Sequence, residues 1–315
     1  MAVVERIFRA MGTDCHVLVV APEPVADELA ALAVERVGLL EECWSRFRPT
    51  SELSALNSTA GTGPRAVSGD LYLLVERMRE AWQLSGGLFD PTVLTSMRTL
   101  GYDADLATVQ ARTATMTLGD VVLASAPGMS GVVLDEARRT VALPSNVGID
   151  PGAIGKGLAA DLVADDLMAA GATGVLVNLG GDLRVAGSPP DGSPWTIGVE
   201  DERLPTDHPD RVARLLEFAD GTRDAGIATS TKLKRRWAQG RRHHVIDPRT
   251  GTMGASDLLQ VTVVAGSAWE AEVTATTALL MTADEATAWL RSADRTAVLI
   301  TADRIILTDD EGHHG

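Results

Sequence analysis

Aromatic side chains are scarce in this chain: Phe, Trp and Tyr make up 4% of its 315 residues. Single-stranded nucleic acid is held on rings where successive bases stack, and a chain this poor in rings is ill suited to that work. Basic charge is short as well. There are 28 Lys and Arg against 43 Asp and Glu, a net charge of −15. Such a surface repels phosphate backbones and anionic bilayers. No nucleic-acid partner is expected, and an anionic ligand would need a local pocket of Lys and Arg. Cysteine is limited to Cys15 and Cys43. They form neither a CxxC pair nor a zinc spacing, and the usage suits a reducing compartment. No window reaches the ~18–20 uninterrupted apolar residues of a transmembrane helix, so no membrane insertion is expected. The opening Met-Ala-Val-Val-Glu-Arg has no apolar signal region and no lipobox-like cysteine, which makes a cytoplasmic protein the expectation.

What is present is 45% hydrophobic and 23% charged, the make-up of an ordinary globular protein able to bury a substantial core. At ~100–200 residues per domain, the length allows one large domain or two lobes sharing a core. The apolar run Val17–Val20 ends a strand that starts at Thr13. Leu29, Leu32, Ala33, Val37, Leu40 and Trp44 recur at helical spacing. Ser68–Ser85 is the clearest helix, with Leu71, Leu74, Val75, Met78 and Trp82 on one stripe, Ser68 as its cap and Gly86-Gly87 as its stop. A second strong helix runs from near Gly155 to Ala170. The strand Val175–Val177 follows, then a hairpin turn at Gly180-Gly181-Asp182 into Leu183–Val185.

Further strands are expected at Thr196–Glu200, Ala213–Phe218 and Leu258–Ala265, helices at Ser267–Met281 and Asp284–Arg291, and a closing hairpin from Ala297 to Thr308. Neighbouring strands read as antiparallel. The expected class is therefore α+β, with mixed, largely antiparallel sheets and packed helices. Residues 1–308 read as a single two-lobed domain and 309–315 as a flexible tail.

Several short stretches carry groups capable of chemistry. Asp150-Pro151-Gly152-Ala153-Ile154-Gly155-Lys156-Gly157 precedes a helix. Its glycines let a ligand approach the backbone, its free amides attract anions and Lys156 adds a positive charge. It matches neither a Walker A motif nor a GxGxxG fingerprint; a tight turn with a solvated lysine is the plain alternative. Glu272 and Thr276 stand at i and i+4, on one helix face. A carboxylate and a hydroxyl are hard oxygen ligands that suit Mg²⁺ or Ca²⁺, though two are too few for an all-protein cage.

Lys232, Lys234, Arg235, Arg236, Arg241, Arg242, His243 and His244 crowd one short stretch of an acidic chain. They suit a phosphate or a solvated hairpin equally well. His244 precedes a short strand that ends at Asp247-Pro248, and a histidine there is a candidate general base or phosphate donor. Phe89-Asp90-Pro91-Thr92 reads as a loop with an Asx turn. Met11 offers a thioether that packs well on a ring.

Singly these pieces are weak. Their order along the chain resembles the flavin transferases of the ApbE family, the FAD:protein FMN transferases. The matching stretches are Met11-Gly12-Thr13, Ser45–Leu53 with Asn57, Phe89–Val93, Asp150–Gly157, Asn178–Asp182, Ala228-Thr229-Ser230, His244–Gly251 and Ala268–Thr276.

The resemblance implies that FAD is the substrate, with Met11, Phe47, Leu88, Phe89, Asp90 and Asp150 among its contacts. Lys156 and His244 would lie near the pyrophosphate. Mg²⁺, with Ca²⁺ or Mn²⁺ as the other candidates, would be held by the main-chain carbonyl of Gly155 with Glu272 and Thr276. It further implies that a Thr or Ser hydroxyl of an acceptor protein attacks the FMN phosphorus and that AMP leaves. His244 or Asp247 would take the proton, with Lys156 beside the reacting phosphates. An FAD pyrophosphatase and an FAD-binding protein without turnover are the competing readings. Two positions depart from the family's usual pattern. Glu272 stands where aspartate is usual, and Thr231 stands where glycine is usual, at a point where a positive φ is expected.

Overall fold

Two residues with positive φ, Met11 at 50° and Gly12 at 70°, fold the chain back on itself near its start. A two-residue turn of this kind matches the twist of the strands it joins. It connects β1 (Ala2–Ala10) to β2 (Thr13–Ala21) in one long antiparallel pair. The computed structural model describes residues 1–114, 123–189, 191–218 and 224–309. After β2 come α1 (Val25–Trp44), α2 (Glu52–Ser58), β3 (Arg65–Ala66), α3 (Gly69–Leu84), a 3₁₀ turn at Pro91–Val93, α4 (Leu94–Thr99), α5 (Leu106–Thr113), β4 (Val133–Asp135) and β5 (Thr140–Ala142). Next are α6 (Gly155–Ala169), β6 (Gly174–Leu179), β7 (Asp182–Gly187), β8 (Trp195–Glu200), β9 (Val212–Phe218) and β10 (Ala225–Thr231). The chain finishes with β11 (Arg236–Trp237), β12 (Arg242–His243), β13 (Gln260–Ala265), α7 (Ala268–Ala278), α8 (Ala283–Ser292), β14 (Ala297–Ile300) and β15 (Ile305–Leu307).

The chain divides into two compact units. The first comprises Met1–Gly38, Lys156–Thr231 and Ser256–Gly315. Its frame is an eight-stranded sheet in the order β1-β2-β6-β7-β10-β13-β14-β15, antiparallel at every pairing. The ribbon β8–β9 packs Trp195, Val199, Leu216 and Phe218 against Leu183, Val185, Ile227, Val298 and Ile300 of the sheet. Each such side chain contributes roughly 1.5–3 kcal/mol by leaving water.

Strand β10 is central, although no strand is expected there from sequence. Its Ala-Gly-Ile-Ala-Thr-Ser-Thr lacks the apolar run that marks a buried strand. The reason is steric. A Cβ at Gly226 would collide with the backbone of Ser267 at the start of α7. Ala228 of β10, Ala265 of β13 and Ala271 of α7 form a small-residue cluster. Small side chains let α7 lie close on the sheet, and α7 carries Glu272 and Thr276.

The second unit comprises Leu39–Gly155 and Lys232–Ala255. Ser68 caps α3 by accepting from the Leu71 amide, and Leu71, Leu74, Val75 and Met78 are buried along one stripe. The small sheet β3-β5-β4 and the hairpin β11–β12 belong to this unit. Its second core gathers Met97, Leu100, Tyr102, Val109, Trp237, Ala238 and Ile246. The Trp237 indole donates to the Leu100 carbonyl at 3.0 Å.

The helices and antiparallel sheets are those of the expected α+β class. Among the described residues no helix is long and apolar enough to cross a membrane. Of the expected tail, residues 310–315 lie outside the described residues.

Candidate functional site

Lys156 is the second residue of α6, and its ammonium lies between two carboxylates of the first unit. It contacts Asp182 Oδ2 and donates to Glu272 Oε1 at 2.9 Å. Glu272 is only 2% exposed. Its other oxygen accepts from the Gly157 amide at 2.8 Å. That amide belongs to the first turn of α6, where backbone donors have no partner within the helix and a carboxylate is favoured. A Cβ at Gly157 would collide with the Ala268 carbonyl, so glycine is what lets α6 and α7 come this close. Thr276, one turn beyond Glu272, shares a hydrogen bond of 2.8 Å with Ser230 of β10.

Asp182 opens β7 and is 1% exposed, and its Oδ1 has no hydrogen-bond partner. A buried carboxylate oxygen without a donor is costly unless something positive meets it. Asp182, Glu272 and Lys156 together carry one net negative charge in a buried place, with hydroxyls beside them. That is a hard-oxygen donor set, and it fits a cation of the Mg²⁺, Ca²⁺ or Mn²⁺ type. Among the described residues no group of three or more His, Cys, Asp or Glu is arranged to hold a metal. A cation here would rest on two carboxylates supplemented by hydroxyl and main-chain oxygens.

Asp161, also on α6, points to the start of α7. Its two oxygens accept from the amides of Ala268 and Trp269, at 2.8 and 2.9 Å. Arg184 of β7 lies 3.7 Å from the same carboxylate and also donates to the Gly266 carbonyl. Burial pushes the Asp161 carboxyl up to about 6, against the opposing pull of the two amides and Arg184.

The second unit holds the other expected residues. Arg46 and Asp150 form an ion pair of 3.0 Å, each side chain 6% exposed. Asp150 also accepts from the Gly152 amide at 2.8 Å, fixing the turn that leads to Gly155, the first residue of α6. The Arg46 guanidinium lies 4.0 Å from the Phe47 ring centre and 4.6 Å from that of Tyr102, and Tyr102 stacks on Trp237. Phe47 is the exposed end of this stack. Leu88 is half-buried. Phe89 is buried in the core. Asp90 is also buried and accepts from the Thr92 amide and hydroxyl, the Asx turn expected at that place.

His244 follows β12 and is half-buried. Asp247 is clamped by Arg249, whose backbone amide, Nε and Nη2 all donate to it. This pairing holds its carboxyl below the usual range. Much of the basic stretch serves the fold: Arg242 donates to the Leu100 carbonyl, Arg241 to Ala238 and Arg236 to Gly240. Burial, with Lys232 and Arg236 nearby, pulls the His243 imidazole down to about 4.

The ApbE family model matches residues 11–300. The chain belongs to the ApbE family. Among ApbE relatives, the FAD:protein FMN transferase of Treponema pallidum is 29% identical over 297 residues, 89% of this chain and 79% of that protein. The protein of the same name from Vibrio cholerae is 28% identical over 307 residues, 95% and 86% of the two chains. In three dimensions the ApbE protein of Thermotoga maritima matches with a TM-score of 0.83 at 23% identity, over 98% of this chain and 97% of that one. The flavin transferase ApbE of Vibrio cholerae matches at 0.75, with 23% identity and coverage of 98% and 97%. At these identities the solved structures establish an ApbE fold.

Against this ApbE background, the structure brings Lys156 and Glu272 together and places Thr276 one turn away. Met11 sits in the β1–β2 turn. One expectation needs correction. Thr231 is not at a positive-φ position; it is the last residue of β10, in extended backbone, where a β-branched side chain is at home. Two residues were given no role in the sequence reading, Asp182 and Asp161. The signal for Asp182 lay in the alternation of β7. Asp182 and Arg184 share one face of a strand whose other residues are apolar or small, so that face had to meet charged partners.

Proposed function

We propose that the protein transfers FMN from FAD to a Thr or Ser hydroxyl of an acceptor protein and releases AMP. The observation that carries this reading is the buried cluster in which Lys156 bridges Asp182 and Glu272 beside Thr276, in a chain of the ApbE family. In the proposed reaction the acceptor oxygen forms a bond to the FMN phosphorus. The bond from that phosphorus to the bridging oxygen breaks, and the bridging oxygen departs with AMP. Little covalent chemistry falls to the protein, so positioning and charge neutralisation do most of the work.

Lys156 is assigned to the pyrophosphate. The hydroxyl proton is assigned to His244 rather than Asp247, because a carboxylate clamped by Arg249 and held below its usual range is a poor base. Glu272, Thr276 and the main-chain carbonyl of Gly155 are assigned to the divalent cation, with the unpartnered Asp182 Oδ1 as a further oxygen. When bound, the cation would neutralise charge building on the AMP phosphate. Mg²⁺ is preferred to Ca²⁺ or Mn²⁺ as the usual companion of substrate phosphates.

For FAD, Phe47 offers an exposed ring backed by Arg46 and Tyr102, suited to packing on a flavin or adenine ring. Met11 and the half-buried Leu88 supply apolar contacts. The buried Phe89, Asp90 and Asp150 act by shaping the segments beside them.

Incubation with FAD, Mg²⁺ and a candidate acceptor domain, followed by intact mass of the acceptor and AMP quantification, tests the proposal. An FMN-sized adduct that disappears in Glu272→Ala supports transfer. AMP and FMN without an adduct would replace transfer by hydrolysis for that acceptor. Bound FAD with no AMP would overturn both and leave a binding protein.

A further inference from the structure

Helix α7 starts in an unusual way. Ser267 occupies its N-cap position with extended backbone, and serine is among the residues best suited to cap. Yet its side chain makes no cap hydrogen bond, and its buried hydroxyl has no partner. The first amides of α7 are met instead by Asp161, from the middle of α6, one carboxylate oxygen to Ala268 and the other to Trp269. A local cap ties a helix end to itself. This one ties α7 to another helix.

The tie is reciprocal. Glu272, one turn into α7, reaches back to the first turn of α6 and accepts from the Gly157 amide. Each helix therefore supplies the carboxylate that satisfies the other's first turn. One bond is made by the Gly157 amide itself, and the other by the amides of Ala268 and Trp269, the residues a Cβ at Gly157 would strike, so the helices approach too closely here for any side chain. Arg184 adds a third point by contacting the Asp161 carboxylate and the Gly266 carbonyl just before α7. Such an arrangement defines both the rotation and the axial register of α7 on α6. A slip of one residue would break all of these bonds and carry Glu272 away from Lys156.

We propose that Asp161 is a positioning residue for this site: by bonding the first two amides of α7 it sets the register of that helix on α6 and so holds Glu272 and Thr276 in place. What Glu272 and Thr276 do for the reaction rests on the functional reading above; the latch itself does not. Asparagine at 161 keeps the shape but loses the charge and one of the two acceptor oxygens. Glutamate keeps both oxygens on a longer arm.

The test follows the Gly157 amide. It lies in the first turn of α6 and donates to Glu272, so its hydrogen exchange reports whether Glu272 is seated. In folded Asp161→Asn protein, Gly157 is expected to exchange at least about tenfold faster than in wild type, together with Ala268 and Trp269, while amides in the middle of α6 are unchanged. Asp161→Glu is expected to restore part of the protection, and it takes the place of Asp161→Asn if the latter does not fold. Faster exchange confined to Ala268 and Trp269 would overturn the proposal and make Asp161 a local cap only.

A second arm uses Mn²⁺ alone, without FAD, titrated by electron paramagnetic resonance. Asp161→Asn is expected to weaken Mn²⁺ binding about fivefold to twentyfold, with Asp165→Asn, an exposed neighbour on α6, within about twofold of wild type. Unchanged Mn²⁺ affinity in Asp161→Asn would remove the consequence drawn for the cation. A wild-type protein that binds no Mn²⁺ would sink the metal assignment, while the Gly157 exchange would still decide the latch.

Discussion

The two units bury charge in opposite ways. In the first, the buried carboxylates of Asp161, Asp182 and Glu272 are met by Lys156 and Arg184, Asp201 is paired with Arg203, and one oxygen of Asp182 is left without a donor. In the second, the buried Asp150 is matched by Arg46, and the buried Asp90 is satisfied by hydroxyl and amide donors. The first arrangement leaves one buried acceptor oxygen open, and the second leaves neither of these two carboxylates without a donor. The difference teaches that the net charge of −15 is a poor guide to either region.

The largest test of this contrast is Arg46→Ala. It strands Asp150 in a buried place, and a loss of about 3–5 kcal/mol is expected in urea unfolding. A loss below about 1 kcal/mol would mean that the second unit does not depend on its internal pairing. Next is Glu272→Ala, which leaves the Gly157 amide and Lys156 each short of a partner. AMP release from FAD is expected to fall at least about 100-fold, more than any loss of folded protein explains. Near-normal AMP release would remove the first unit's cluster from the chemistry.

Acid titration should separate the units more finely. His243 in the folded protein protonates only near 4, against 6.5 when unfolded. Between those values the unfolded chain takes a proton that the folded one refuses, so this group costs stability as pH falls from 6.5 towards 4. Asp161 acts in reverse. Its folded carboxyl takes a proton near 6 and its unfolded one near 3.8, so it adds stability as pH falls between them. His243→Gln should therefore flatten the acid loss by about 1–2 kcal/mol, allowing for solvent screening, and Asp161→Asn should steepen it. Identical acid slopes in both variants and wild type would contradict these assignments. The smallest expected effect is that of Phe47→Ala. FAD affinity should drop about threefold to tenfold with little change in unfolding midpoint, because the ring is the exposed end of its stack. Unchanged affinity would take Phe47 out of the FAD contacts.

How much of this the sequence disclosed depended on how local the cause was. The cap at Ser68, the stripe along α3 and the Gly180-Gly181 turn are set by neighbours within a few residues, and each was readable. Glu272 and Thr276 were readable as a pair because helical spacing puts them on one face. Strand β10 was hidden because its small residues answer to α7, a partner distant in the chain. Strand β1 was passed over although its burial alternates residue by residue, the pattern of a strand with one face covered. Asp161 looked like one more acid on a helix. Its partners are 107 and 108 residues further on, and no spacing rule spans that distance.

The eight-stranded sheet does not close on itself, so among the described residues it ends in two rims where backbone donors and acceptors lack a strand beside them. Such rims invite other chains to add on. The two are guarded differently. Strand β15 is three residues long, too short to template much pairing. Strand β1 is nine residues long and carries an exposed Ile7, but it also bears Glu5, Arg6 and Arg9, and any chain adding beside it would have to strip water from those charges. The rim beside the Met11 turn thus stays soluble through its ionic decoration, and neutralising those three side chains would turn a quiet border into a seed for aggregation.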